Sequence, residues 1–175
     1  MKRDRAAAEK VLFARRSRKP ELGGRVPRRP RDRNRDAEKL LMTPEANKQL
    51  VMAYVDAFNR GDTEALIDLF APDALVYGVL GWGRMEQVVP IWREIKTAFD
   101  IQLQVESIIA EDDIVAVRYV ERGTSVGSFR GGPVTGKSFE VVAMEWFIIK
   151  DGKIHRRWGA RDNAAQMRQL GLPLS

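Results

Sequence analysis

Residues 138–161 read SFEVVAMEWFIIKDGKIHRRWGAR. Apolar and polar side chains alternate through SFEVVAMEWFIIK (138–150) and again through KIHRRWGAR (153–161), the two-residue period of a strand. KDGK between them supplies the turn, so the two strands run antiparallel. Upstream, IVAVRYVERGTSVGSF (114–129) and IQLQVESIIA (101–110) alternate in the same way, with Asp112-Asp113 and GGPVTGK as turns. The second half of the chain is therefore a meander of long strands. Met144, Trp146, Phe147 and Ile148 read as its core.

The first half reads as helix. Thr43 suits an N-cap, Pro44 a first helical position and Glu45 a first turn. Leu50, Val51, Tyr54, Ala57 and Phe58 then recur at three- and four-residue spacing, and Gly61 ends the run. TEALIDLF (63–70) reads as a second short helix and ALVYGVL (74–80) as a first strand. GWGRMEQVVPIWREIKTAFD (81–100) reads as a further helix with a break or kink at Pro90. Helices first and long strands after give an α+β fold: a cone-like curved antiparallel β-sheet with N-terminal helices packed on it.

Charge divides the chain in two. Residues 1–42 carry 15 Lys or Arg against 6 Asp or Glu, whereas residues 43–175 carry 15 against 18. The basic part, with RRSRK and RVPRRPRDRNR, has too little apolar periodicity to form a core and reads as a disordered extension. It is the one place where nucleic acid would bind. The folded domain is expected over 43–175. The absence of cysteine and the single histidine, His155, argue against disulfides, thiolate chemistry and a metal centre. No apolar run of about 18 residues suggests a membrane span, and the basic start lacks the apolar stretch of a secretory signal. A cytoplasmic protein without membrane contact is the expectation.

Strands rolled around helices enclose an apolar interior that holds a small molecule, with polar groups drawn from inward strand positions. Counting by twos from Asp162 gives Ala160, Trp158, Arg156 and Ile154. Unless a bulge intervenes, Trp158 and Asp162 share a face. Asp162 also stands where a short helix, 163–170, begins and suits its N-cap. Glu145 interrupts the apolar run VVAMEWFII, which marks it either as cavity-lining or as paired on a solvated face with Arg118 or Arg156. Trp82, flanked by glycines, suits a loop over the pocket. Arg118 and Arg122 read as cross-strand pairs on a solvated face.

FNRGDTEALIDLFAPDALVY, RGTSVGSFRGGPVTGK and DGKIHRRWGARDNAAQMRQLGLP together resemble the SnoaL-like polyketide cyclases, or ester cyclases, of the nuclear-transport-factor-2-like fold, over residues 43–173. The Trp-x-x-x-Asp motif followed by Gln-Leu-Gly is the most specific marker. The resemblance implies an intramolecular aldol-type ring closure without metal or cofactor, with Asp162 as the acid/base. A carboxylate in an apolar pocket is a usable base because desolvation raises its pKa. Histidines often present in the family fall here on Tyr77 and Ser125, whose hydroxyls can donate hydrogen bonds in their place. Tyr77, Trp82, Ser125, Glu145 and Trp158 are thus the expected substrate-binding residues. The class is a polyketide cyclase-like lyase or isomerase acting on a hydrophobic carbonyl compound, and the superfamily implies a homodimer paired through the sheet. The competing reading is a non-catalytic domain that binds a small molecule or a partner on the same fold.

Overall fold

The computed structural model describes residues 43–78 and 81–173. The basic extension, 1–42, lies outside the described residues. Helix α1 (Pro44–Arg60) starts on Thr43, whose side chain accepts from the Ala46 N–H, and ends at Gly61 in the left-handed region. Helix α2 (Thr63–Asp68) leads into β1 (Phe70–Gly78), which pairs with a short β2 (Gly81–Arg84). Helix α3 (Met85–Phe99) follows and runs through Pro90. The helix expected over 81–100 therefore begins four residues late, because GWGR pairs with β1. Then come β3 (Gln102–Glu111), β4 (Ile114–Thr124), β5 (Ser138–Lys150), β6 (Lys153–Arg161) and α4 (Asn163–Leu170).

The six strands form one curved, unclosed sheet in the order β2-β1-β6-β5-β4-β3. All neighbours are antiparallel except β1 and β6, which are parallel because the chain crosses over through everything between them. Strand β4 ends at Thr124, short of the expected 129. The Val126 and Gly127 N–H groups both donate to the Ala98 carbonyl at the end of α3, 2.9 Å away in each case, which draws the chain off the sheet. A Cβ on Gly127 would stand 2.9 Å from the Thr97 carbonyl oxygen, so only glycine allows this approach. Residues 125–137 form a loop at that end of the cone.

Helix α1 is clamped to the sheet by side-chain amides. Asn59 exchanges two hydrogen bonds with the Leu103 backbone, at 2.8 and 2.9 Å, and buried Asn47 donates to the Asp112 carbonyl. Between helices and sheet, Tyr54 meets Phe70, Trp92 and Phe147 edge-on, with centroids 6.1, 6.4 and 5.3 Å away. Such pairs each contribute roughly 0.5–1.5 kcal/mol beyond burial. On β5, Phe147 is buried, but Met144 and Trp146 are 57% and 47% exposed. Their alternation with Glu145 and Phe147 puts them on the outer face, which corrects their reading as core.

Candidate active site

The interior of the cone depends on one irregularity in β6. Ile148 pairs with Arg156 and Ile149 with Ile154, so His155 has no cross-strand partner. This bulge shifts the alternation by one residue. Ile154 faces in, and after the bulge Arg157, Gly159 and Arg161 do so instead of Arg156, Trp158 and Ala160. Two arginines and a glycine thereby enter an interior that regular pairing would have filled with one arginine, a tryptophan and an alanine. His155 lies 3.7 Å from Asp73.

Arg157 is buried and bonded closely to buried Glu145 on β5. The path exists because Gly159, opposite Glu145 across the strands, has no side chain: a Cβ there would lie 2.9–3.0 Å from the guanidinium. The guanidinium carbon also sits 5.8 Å from the Trp92 ring centroid, a cation–π contact. Tyr119 donates to Glu145 at 3.2 Å and Tyr54 makes a longer contact of 3.5 Å. Burial pushes both tyrosine hydroxyls up, so they remain protonated donors. Both Glu145 oxygens are thus engaged.

Glu121, one residue pair along β4 from Tyr119, is only 1% exposed. Arg161 on β6 comes within 3.2 Å of its Oε1, but off the direction of a hydrogen bond. That oxygen has no hydrogen-bond partner among the described residues. Burial pushes the carboxyl up, and Arg161 and Arg157 pull it back without cancelling the rise. A buried carboxylate with a free oxygen and a tuned proton affinity is the arrangement acid–base chemistry uses.

Both carboxylates and both arginines line a cavity of about 60 Å³ walled by Tyr54, Trp92 and Ile95. It has room for a few waters or one polar head group. Ile95 and Arg161 also line a larger, half-open apolar chamber of about 390 Å³ between the end of α3, the 125–137 loop and α4. Among the described residues no three His, Cys, Asp or Glu side chains gather as a metal site. No helix among them is long and apolar enough to cross a membrane.

Of the six expected site residues, only Glu145 lines this cavity, and its partner is Arg157 rather than Arg118 or Arg156. Arg118 and Arg122 pair instead with Glu106 and Glu140 on the exposed face, as expected. Asp162 is exposed at the N-cap of α4, where it accepts from the Ala165 N–H at 2.9 Å. The bulge removes the parity that would have aimed it inward. Trp158 lies on the outer face for the same reason, and there it meets Trp82, which also packs on Tyr77; the centroid distances are 5.2 and 5.3 Å. Trp82 belongs to β2, so it is a strand residue and not a lid. Ser125 is buried, but it closes the loop: its Oγ accepts from the Thr135 N–H, and its backbone bonds to Lys137 and Gly136. Sequence reasoning missed Glu121, Arg157 and Arg161. Glu121 did carry a signal, since it continues the inward series Val115, Val117, Tyr119 as an acid in an apolar register. The arginines carried none without the bulge.

Residues 48–170 match the family of SnoaL-like polyketide cyclases. Among solved structures, the chain is similar to AclR, a proposed hydroxylase from Streptomyces galilaeus. The two are 29% identical with a TM-score of 0.69, over 76% of this chain and 89% of that one. It is also similar to IdmH, a proposed polyketide cyclase from Streptomyces antibioticus, with 31% identity and a TM-score of 0.64 over 72% and 99%. TsrD from Streptomyces laurentii is 26% identical with a TM-score of 0.67, over 75% and 99%. No curated protein matches the chain.

Proposed function

Since the chain belongs to the SnoaL-like polyketide cyclase family, we propose that it closes a ring in a hydrophobic polyketide-like carbonyl compound by cofactor-independent acid–base catalysis. In this reading Glu121 moves the proton. The observation that carries it is the state of the two buried carboxylates: Glu145 is hydrogen-bonded at both oxygens, whereas Glu121, on the same cavity, has a buried Oε1 3.2 Å from Arg161 and without a hydrogen-bond partner among the described residues. Ionised Glu121 takes a proton from the carbon alpha to one carbonyl. The enolate carbon attacks the second carbonyl carbon, and the resulting alkoxide takes the proton back from Glu121. Arg161 and Arg157 supply positive charge toward the developing oxyanion. The reacting carbonyls fit the small cavity and the rest of the molecule the apolar chamber beside it.

A panel of aromatic polyketide esters tests this. Wild type and Asp162→Asn should both turn over at least one of them, because Asn caps a helix as well as Asp. Glu121→Gln should bind the same ester and lose at least ~100-fold in kcat, the span of a general acid–base contribution. Loss of turnover in a folded Asp162→Asn, with Glu121→Gln active, would return the role to Asp162. Binding without turnover in every protein would leave a receptor-like pocket.

The outer face supports the pairing of two copies through the sheet. Ile109, Ala116, Trp146, Trp158, Tyr77 and Trp82 follow one another in register across all six strands. Sedimentation of Trp146→Lys against wild type tests it, with a shift to monomer expected.

A further inference from the structure

The apolar chamber has one cation in its wall. Phe99, Phe129, Met167 and Leu172 supply its apolar surface, and Arg161 stands where it adjoins the inner cavity. The Arg161 guanidinium has five donors. Its side chain is 21% exposed, and among the described residues it makes no hydrogen bond; its only close partner is Glu121, at 3.2 Å and poorly aligned. Planar guanidinium groups favour a carboxylate held by two parallel hydrogen bonds. The chamber thus offers apolar walls and an under-used fork of donors, which together fit a flat apolar molecule with a carboxylate at one end.

Such a ligand brings a negative charge beside Glu121. The groups facing Glu121 are Arg161 and Arg157 from β6 and Tyr54 from α1, with Glu145 of β5, bonded to Arg157, on the same cavity; the cross-strand neighbours of Glu121, Leu103 on β3 and Val141 on β5, are apolar. Once Arg161 turns its donors to the ligand, Glu121 loses its nearest cation and gains a like charge, and both changes favour its protonated form.

We propose that the chamber binds aromatic carboxylates through Arg161, and that this binding is coupled to proton uptake by Glu121. This goes beyond the catalytic reading: a carboxylate held by Arg161 leaves Glu121 protonated and occupies a cation of the oxyanion site, so such ligands fill the site without turnover. It does not need turnover to be tested.

The probes are 2-naphthoate and 2-acetylnaphthalene, a neutral ketone of similar shape, titrated into the full chain by calorimetry at pH 7. Wild type should prefer naphthoate by about tenfold or more, the scale of a charge-assisted hydrogen bond. Its apparent binding enthalpy should change with the ionisation heat of the buffer, reporting proton uptake. Arg161→Gln should lose the preference while still binding the ketone, and Arg161→Lys should keep part of it. Glu121→Gln should bind naphthoate without buffer dependence. Equal binding of the two probes to wild type, or a preference that survives in Arg161→Gln, would overturn the site. A preference without proton uptake would overturn the coupling. Either failure leaves the turnover test of Glu121 standing on its own, so the two readings fail separately.

Discussion

Arg157 and Trp158 are neighbours on β6 and occupy opposite environments. On the inner side, Arg157 joins Glu145, Glu121 and Arg161 in an interior otherwise built of aromatic and aliphatic side chains. On the outer side, Trp158 lies among Trp82, Tyr77 and Trp146, a row of large apolar groups left half exposed. Charges inside and tryptophans outside invert the usual arrangement. Buried ion pairs do little for stability relative to apolar residues of the same shape, because desolvation consumes the Coulombic gain. The inner cluster is therefore better explained by chemistry than by folding, and the outer row by contact with another surface.

The largest effect that would break this contrast comes from splitting the inner pair. Arg157→Met leaves Glu145 buried without its cation and should cost about 3–5 kcal/mol. Urea unfolding measures it, and the double change Arg157→Met with Glu145→Leu should recover most of the loss. A neutral single variant would mean that the pair is not shielded from water. Next in size is Gly159→Ala. Its Cβ would press on the Arg157 guanidinium, which Glu145 and Trp92 pin in place. A loss of roughly 1–3 kcal/mol is expected, as for other overpacked sites.

Glu121→Gln sharpens the contrast through pH. A carboxyl whose folded pKa lies above its unfolded one holds its proton more tightly when folded. Its contribution to stability is complete below the ordinary value of 4.5 and is lost as pH rises through the folded value. Glutamine cannot ionise. The variant should therefore match wild type near pH 4 and become the more stable of the two as pH rises, which thermal melts across pH 4–8 would show. The smallest effect belongs to Asp162. Asp162→Ala should cost about 1 kcal/mol of stability as a lost cap, and Asp162→Asn only a few tenths.

Most of the fold was legible because its signals are local. Thr43, Pro44 and Gly61 delimit α1, the alternation over 138–150 and 153–161 matches β5 and β6, and α4 spans the expected 163–170. The errors have tertiary causes. GWGR became a strand because β1 offered it an edge, and β4 stopped early because the Ala98 carbonyl captured two N–H groups. The site was less legible than the fold. Glu145 announced itself as a charge in an apolar run, and Glu121 could have been found by the same rule. Arg157 and Arg161 depend on a bulge at His155 that no local pattern marks, and that one extra residue carried Trp158 outward and left Asp162 as a cap.

On the inner face, Glu121 is a buried carboxylate of raised proton affinity, close to Arg161 but with no hydrogen bond to its Oε1 among the described residues. Carbon-13 NMR of the glutamate side-chain carboxyls, titrated from pH 3 to 9, tests it directly. One resonance should titrate above 4.5 and disappear in Glu121→Gln. A Glu121 resonance that titrates in the ordinary range of solvated glutamates would contradict it.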